Sequence, residues 1–250
     1  MDSTTAILLR HLAERYETTA FLNGDPSAVM HGVSGDANRE ATAFITACLS
    51  YGSRRQFLAK VRQLVDRAGG DVLSWLRCGA FVDVIPDSEE SFYRMDTCRD
   101  MLAMLTTLRD IVTSYGSVGA FVRQGAGDAF AAVDLLCRRF ASDGGTHLVP
   151  HDTRSACKRL CMFLRWMVRS DSPVDLGLWA SFIDRRTLIM PLDVHVTQQA
   201  VALGLLTSRS ATMSAALRLT EEMRSVFPDD PLKGDFALFG LGIEKQRRRQ

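Results

Sequence analysis

Lys158 and Asp193 are the residues of this chain whose types and settings best suit covalent chemistry at one shared site. Lys158 opens a cation-rich run, Lys158 to Arg169, reading KRLCMFLRWMVR. On a helical wheel at about 100° per residue, Leu160, Phe163, Leu164 and Met167 fall on one side. Arg154, Lys158, Arg165 and Arg169 share a sector of roughly 60° on the other. No acidic residue interrupts that row between Asp152 and Asp171. Parallel cations on a helix repel one another unless anions neutralise them, and a phosphate backbone is one source of anions. The same repulsion disfavours an ammonium and enlarges the neutral fraction of a lysine, the form that attacks carbon; arginine keeps its proton and cannot act this way. A solvated basic face that confers only solubility is the competing reading of the row.

Asp193 follows Pro191-Leu192 and precedes Val194, Val196, Ala200, Leu203 and Leu205, a helical pattern. A carboxylate at a helix start stays ionised through backbone N–H groups and the positive end of the dipole. A plain cap is the alternative role. His195, Arg159 and Trp166 are candidates to support the pair from behind. For His195 a structural hydrogen bond competes with that role, and for Trp166 and Trp179 core packing competes with stacking on a base. Asp229, Asp230 and Asp235 flank Pro228 and Pro231 and read as turn and cap residues before a helix at Phe236.

The elements that must position these residues read as helices throughout. Ile7, Leu8, Leu12, Tyr16 and Phe21 keep a helical interval until Asn23-Gly24-Asp25-Pro26. Asp25, His31 and Asp36 in the next loop could ligate a metal, but turn chemistry at Asp25-Pro26 and an N-cap at Asp36 account for them better, and no metal is expected. Two helices, Arg39 to Leu49 and about Arg55 to Ala68, meet at a polar corner. Its Tyr51, Gly52, Ser53 and Arg54 suit either a plain helix-helix turn or a loop pressed on nucleic acid. Val72 to Trp75, Phe92 to Tyr115 and Ala129 to Phe140 complete the helical set, and no sustained period-two alternation is present. The expectation is an all-α fold in one structural unit over 1–250, with a central bundle over 37–189, a second lobe of 1–36 plus 190–250, and a cleft between them.

Composition bounds the function. A net charge of +1, with 46% hydrophobic and 24% charged residues, is ordinary for a globular protein, so any nucleic-acid role rests on local basic charge around 154–169. The six cysteines are scattered without a ligand pattern and read as buried reduced thiols. The chain shows no signal-peptide core and no apolar run near the ~20 residues of a membrane span, which gives a cytoplasmic expectation and no membrane partner. The basic tail Lys245 to Arg249 reads as a frayed end.

The run Met190 to Val196 (MPLDVHV) followed by Ala200 to Leu205 resembles the "P-x-D-x-H-V" segment of the helix-hairpin-helix DNA glycosylase superfamily. Ala43 to Lys60 resembles that superfamily's early helix pair, whose connecting loop probes DNA. The wide spacing from Lys158 to Asp193 is more similar to the archaeal 8-oxoguanine DNA glycosylases than to the endonuclease III branch. Nearly the whole chain resembles a family of bacterial proteins of unassigned function, through Leu12 to Tyr16, Asp25-Pro26, Ser50 to Arg54, Lys158 to Arg169, Pro191 to Val196 and Asp235 to Gly242. The resemblance implies a glycosylase-like fold of two helical lobes and a DNA base-excision glycosylase, with a lyase step through a lysine Schiff base. Its partner would be double-stranded DNA carrying a damaged base, an oxidised one being the case the archaeal resemblance implies. Lys158 and Asp193 would be catalytic, and Tyr51, Gly52, Ser53, Arg54, Arg154, Ser155, Arg165 and Arg169 would bind nucleic acid. No Gly-Val-Gly hairpin precedes Lys158, Gly52 stands where the loop glutamine is usual, and the four-cysteine iron-sulfur pattern is missing, so no cofactor is implied. A non-catalytic nucleic-acid-binding module and a helical protein-interaction domain, its lysine-aspartate pair a buried ion pair, are the alternatives.

Overall fold

A computed structural model describes residues 1–142 and 146–247, apart from the side chains of Gln246 and Arg247; Arg248 and Arg249 of the basic tail lie outside the described residues. In chain order the elements are α1 (Ser3–Tyr16), α2 (Ala28–His31), α3 (Asp36–Leu49), α4 (Arg54–Arg67), α5 (Val72–Arg77), β1 (Ser91–Tyr93), β2 (Asp96–Thr97), α6 (Cys98–Tyr115) and α7 (Val118–Gly125). They continue with α8 (Ala129–Ser142), α9 (Lys158–Val168), α10 (Val194–Ala202), α11 (Met213–Arg224) and α12 (Lys233–Arg247). The protein is therefore mostly helical, with one small antiparallel hairpin that the sequence reading missed. No helix of the described residues is long and apolar enough to cross a membrane.

The chain divides into two compact units, one of Met1–Asn23, Asp128–Phe130 and Thr153–Gln250, the other of Gly24–Gly127 and Ala131–Asp152. The expected division at 37 and 190 is corrected by this. Residues 153–189 belong with the terminal segments, so Lys158 and Asp193 share one unit instead of standing on two lobes.

In the unit built on Gly24–Gly127, α3 is the centre. Every residue from Glu40 to Leu49 is buried, and Phe44 stacks on Phe140 at 4.9 Å. Asp36 opens α3 but does not cap it, since the cap position is Gly35 at φ +85°. A helix expected from Phe92 begins instead at Cys98, because Thr97 and Asp100 form a reciprocal capping box that fixes the start of α6. The preceding residues pair as β1 and β2 around a two-residue turn, Arg94-Met95, with Arg94 at φ +56°.

In the unit that holds α1 and α9–α12, α1 and α10 both pack against α12, and Phe21 sets its ring edge-on to Phe236 and Phe239 at 4.9 and 5.0 Å. Helix α9 is buried on every side from Leu160 to Val168. Arg165 and Arg169 are 4% and 1% exposed. A guanidinium stays charged in such a place only if carboxylates surround it. Arg165 pairs with Asp235 and, at 3.3 Å, with Asp175. Arg169 pairs with Asp175 at 2.5 Å, Glu17 at 2.6 Å and Asp230 at 2.7 Å. Both guanidinium groups also lie over the Phe236 ring, at 4.7 and 5.2 Å. Burial works against the Arg169 cation, but Asp230, Asp175 and Glu17 outweigh it and hold the charge.

This network ties the chain near residue 17, the segment after α9, the turn at 230 and the start of α12 to one helix. Arg169→Ala strands Asp230, Asp175 and Glu17 in the interior, and urea denaturation is expected to show a loss of about 3–5 kcal/mol of stability. A loss under about 1 kcal/mol, the level of an exposed pair, would contradict it.

Candidate active site

Lys158 is the first residue of α9 and is half-buried. The chain reaches it along an extended segment: Ser155 bridges Thr212, Ala156 donates its N–H to the Ala211 carbonyl at 2.9 Å, and Arg154 accepts from the Met213 N–H at 3.2 Å. Cys157 then turns the backbone at φ +44°, a left-handed conformation held by a non-glycine residue directly before the lysine. Such a conformation costs free energy and persists where surrounding structure enforces it. It lets α9 begin at Lys158, so the lysine sits on the exposed N–H end of a helix whose remaining length is core.

Asp193 is the N-cap of α10, its carboxylate accepting the Val196 N–H at 2.7 Å. The residues before it, Leu188 to Leu192, are buried, and Met190 donates its N–H to the Thr220 hydroxyl at 2.9 Å. The approach to Asp193 is thus anchored while the carboxylate itself is half-buried.

The ion network lies between the two helix starts along the chain's packing, on the Asp193 side. Arg165 lies seven residues beyond Lys158, within about 20° of the same helix face and about 10 Å along the axis. Arg165 pairs with Asp235, and the Asp193 carboxylate is near enough to help push up the Asp235 carboxyl. The face of α9 that begins with Lys158 therefore runs toward the carboxylates around Asp193.

The basic row expected along α9 is corrected. Arg154 precedes the helix and is exposed, whereas Arg165 and Arg169 are spent on buried carboxylates and offer nothing to phosphate. Trp166 is wholly buried, as is Trp179, which sets its ring perpendicular to Phe163 at 5.2 Å; neither is open to a base. His195 is exposed on the first turn of α10, Arg159 is half-buried, and Ser155 is exposed on the extended segment. Asp230 and Asp235, expected as turn and cap residues, are the main partners of the arginines, and Asp175 and Glu17 were not anticipated at all. One signal was available: from Leu160 to Val168 every residue but Arg165 is apolar, and a helix apolar all round has no solvent face.

Tyr51, Gly52, Ser53 and Arg54 lie in the other unit, at the corner between α3 and α4. Gly52, Ser53 and Arg54 are exposed, but Tyr51 is tied inward. Its hydroxyl donates to the buried Asp96 carboxylate, and the Tyr93 hydroxyl donates to the Tyr51 carbonyl at 2.6 Å. Gly52 has φ +73°, and a Cβ there would run into Arg94 and Tyr93. No group of three His, Cys, Asp or Glu suited to a metal occurs among the described residues. None of the six cysteines is in a disulfide among the described residues; Cys78 is exposed, against expectation, and burial pushes the Cys161 thiol up, so it is an inert group.

Two guanidinium groups face four carboxylates, Glu17, Asp175, Asp230 and Asp235. Burial, with Asp193 and Asp175 nearby, lifts Asp235 to about 6 despite Arg165. A carboxyl whose folded value lies above its unfolded value near 4 binds its proton more tightly in the folded chain. Its contribution to stability is full below pH 4 and falls as pH rises through 6. Denaturation of wild type and Asp235→Asn between pH 4.5 and 7.5 is expected to show the wild-type advantage shrinking by on the order of 2 kcal/mol. An advantage that grows with pH would contradict it.

No curated protein and no solved structure matches the chain. A family model does match, over residues 25–244, under the description "Protein of unknown function (DUF2400)". With most of its length covered, the chain belongs to that family.

Proposed function

We propose that the protein is a DNA base-excision glycosylase with a lysine nucleophile, acting on double-stranded DNA that carries a damaged base. The observation that carries this reading is the placement of Lys158 and Asp193 at the N-termini of two helices of one compact unit. Together with the resemblance of Pro191 to Val196 to a glycosylase segment, it favours a helix-hairpin-helix glycosylase-like arrangement.

The chemistry fits those positions. An extruded nucleotide presents its glycosidic bond, and extrusion costs least for a lesion. As that bond breaks, its electron pair leaves with the base, which gains a proton, and positive charge develops on the sugar. The Asp193 carboxylate, oriented by its cap hydrogen bond, stabilises that charge. The Lys158 amine forms the new bond to the anomeric carbon, loses its proton, and gives a Schiff base as the sugar ring opens. Water returns the lysine, or elimination at the sugar cuts the strand.

Arg154 and Ser155, exposed beside Lys158, are the candidates for phosphate contact in this unit, with Gly52, Ser53 and Arg54 in the other; Tyr51, tied to Asp96, is not among them. A binding module without chemistry is the second reading, favoured by those exposed polar and basic residues alone.

Borohydride reduction on duplexes containing oxidised or deaminated bases is expected to trap a covalent protein–DNA adduct with wild type and none with Lys158→Ala. Asparagine caps a helix as well as aspartate, so Asp193→Asn removes charge and keeps the fold. It should slow base release about 10²–10³-fold. No adduct across a broad lesion panel, with binding intact in Lys158→Ala, would favour the binding module.

A further inference from the structure

We infer that the cleft between α4 and the β1–β2 hairpin is a second nucleic-acid site that holds a single, unpaired strand. The cleft measures about 530 Å³, with Gln56, Lys60 and Gln63 of α4 on one wall and Phe92, Tyr93 and Arg94 of the hairpin on the other. That volume lies in the range that holds one small-molecule ligand, hence one or two nucleotides of a strand whose remainder stays in solvent.

The charge of the cleft selects the occupant. Two cations line it and no carboxylate does. The Lys60 amine lies 5.0 Å over the Phe92 ring and the Arg94 guanidinium 6.0 Å over the Tyr51 ring. Among the described residues neither cation has a carboxylate within 4 Å; Asp87 and Glu89 pair with Arg99, and the Asp96 carboxylate accepts from Tyr51. Cations held over aromatic faces and left without counter-ions are placed for phosphate, and the aromatic and amide walls between them suit a planar base.

The hairpin turn points the same way. Arg94 occupies a left-handed conformation where glycine or asparagine would be easier, and Met95 beside it is 74% exposed. A turn chosen for stability alone would not place a strained cation and a large bare apolar side chain in water. At the rim of a cleft that takes a strand, Met95 packs against a base and Arg94 reaches its phosphate. The missing side chain of Gly52 makes room for Arg94 and Tyr93 of the wall.

This site rests on the glycosylase reading only for the choice of DNA as the strand, and not on the chemistry of Lys158. Fluorescence anisotropy of a labelled single-stranded oligonucleotide tests it with the full chain, Lys60→Gln/Arg94→Gln and Met95→Ser, folding being checked by thermal melting. The double variant is expected to bind at least 10-fold more weakly near 0.1 M salt. The slope of log affinity against log salt should fall by about 1.4, the contribution of two phosphate contacts. Met95→Ser should weaken binding with the slope unchanged. Unchanged affinity and slope in a folded double variant would overturn the site, even where Lys158 still forms its borohydride adduct. Loss of binding in the double variant would uphold it, even where no adduct forms. Binding of a polyglutamate peptide, lost in the double variant, with no binding of the oligonucleotide, would also overturn the assignment to nucleic acid.

Discussion

Arg165, on the buried length of α9, and Arg169, the residue that caps its C-terminus, lie one turn apart, and a guanidinium in such a place keeps its charge only where carboxylates reach it. Those carboxylates come from four separate places in the chain, Glu17, Asp175, Asp230 and Asp235. Once all are gathered, the end of α1, the segment after α9, the turn before α12 and the start of α12 have little freedom left. The stability of a buried network is modest because desolvation offsets attraction, but its geometric demands are strict. In this unit the network ties α9 to α12 through Arg165 and Asp235, and the Asp193 cap lies in electrostatic range of Asp235.

That constraint explains the candidate site. A lysine at the first position of α9 and a carboxylate at the cap of α10 each owe their position to a helix start. Helix starts are places where backbone N–H groups face outward and charge is treated asymmetrically. The strained backbone at Cys157 and the buried approach from Leu188 to Leu192 fix those starts in the chain. The arginines thus serve the site by holding its framework and not by touching a ligand.

Most of the helical order was legible in the sequence, because apolar spacing and turn residues mark α1, α3, α4, α5, α8 and α10 to within a few positions. Asp193 as a cap was legible for the same reason: a polar residue stands directly before an apolar helix. The hairpin at 91–97 was not, since its strands are only three and two residues long and leave no room for alternation to show. The fate of the arginines was misread because a helical wheel records direction and not depth. A row of cations looks the same whether it meets solvent or acids brought from residues 17, 175, 230 and 235. The pairing partners are distant in sequence, and only folding brings them to α9. The six-residue motif around Asp193 pointed to a site, while the network that supports it carries no local signature.

The central claim is that Lys158 and Asp193 act on one sugar. A crystal structure of the protein with a duplex containing an uncleavable abasic analogue tests it most directly. The account predicts that the Lys158 amine and the Asp193 carboxylate flank the same sugar ring, each within about 4 Å of it, the reach that attack and charge stabilisation require. A sugar held elsewhere, or the two side chains more than about 10 Å apart around it, would contradict the shared site.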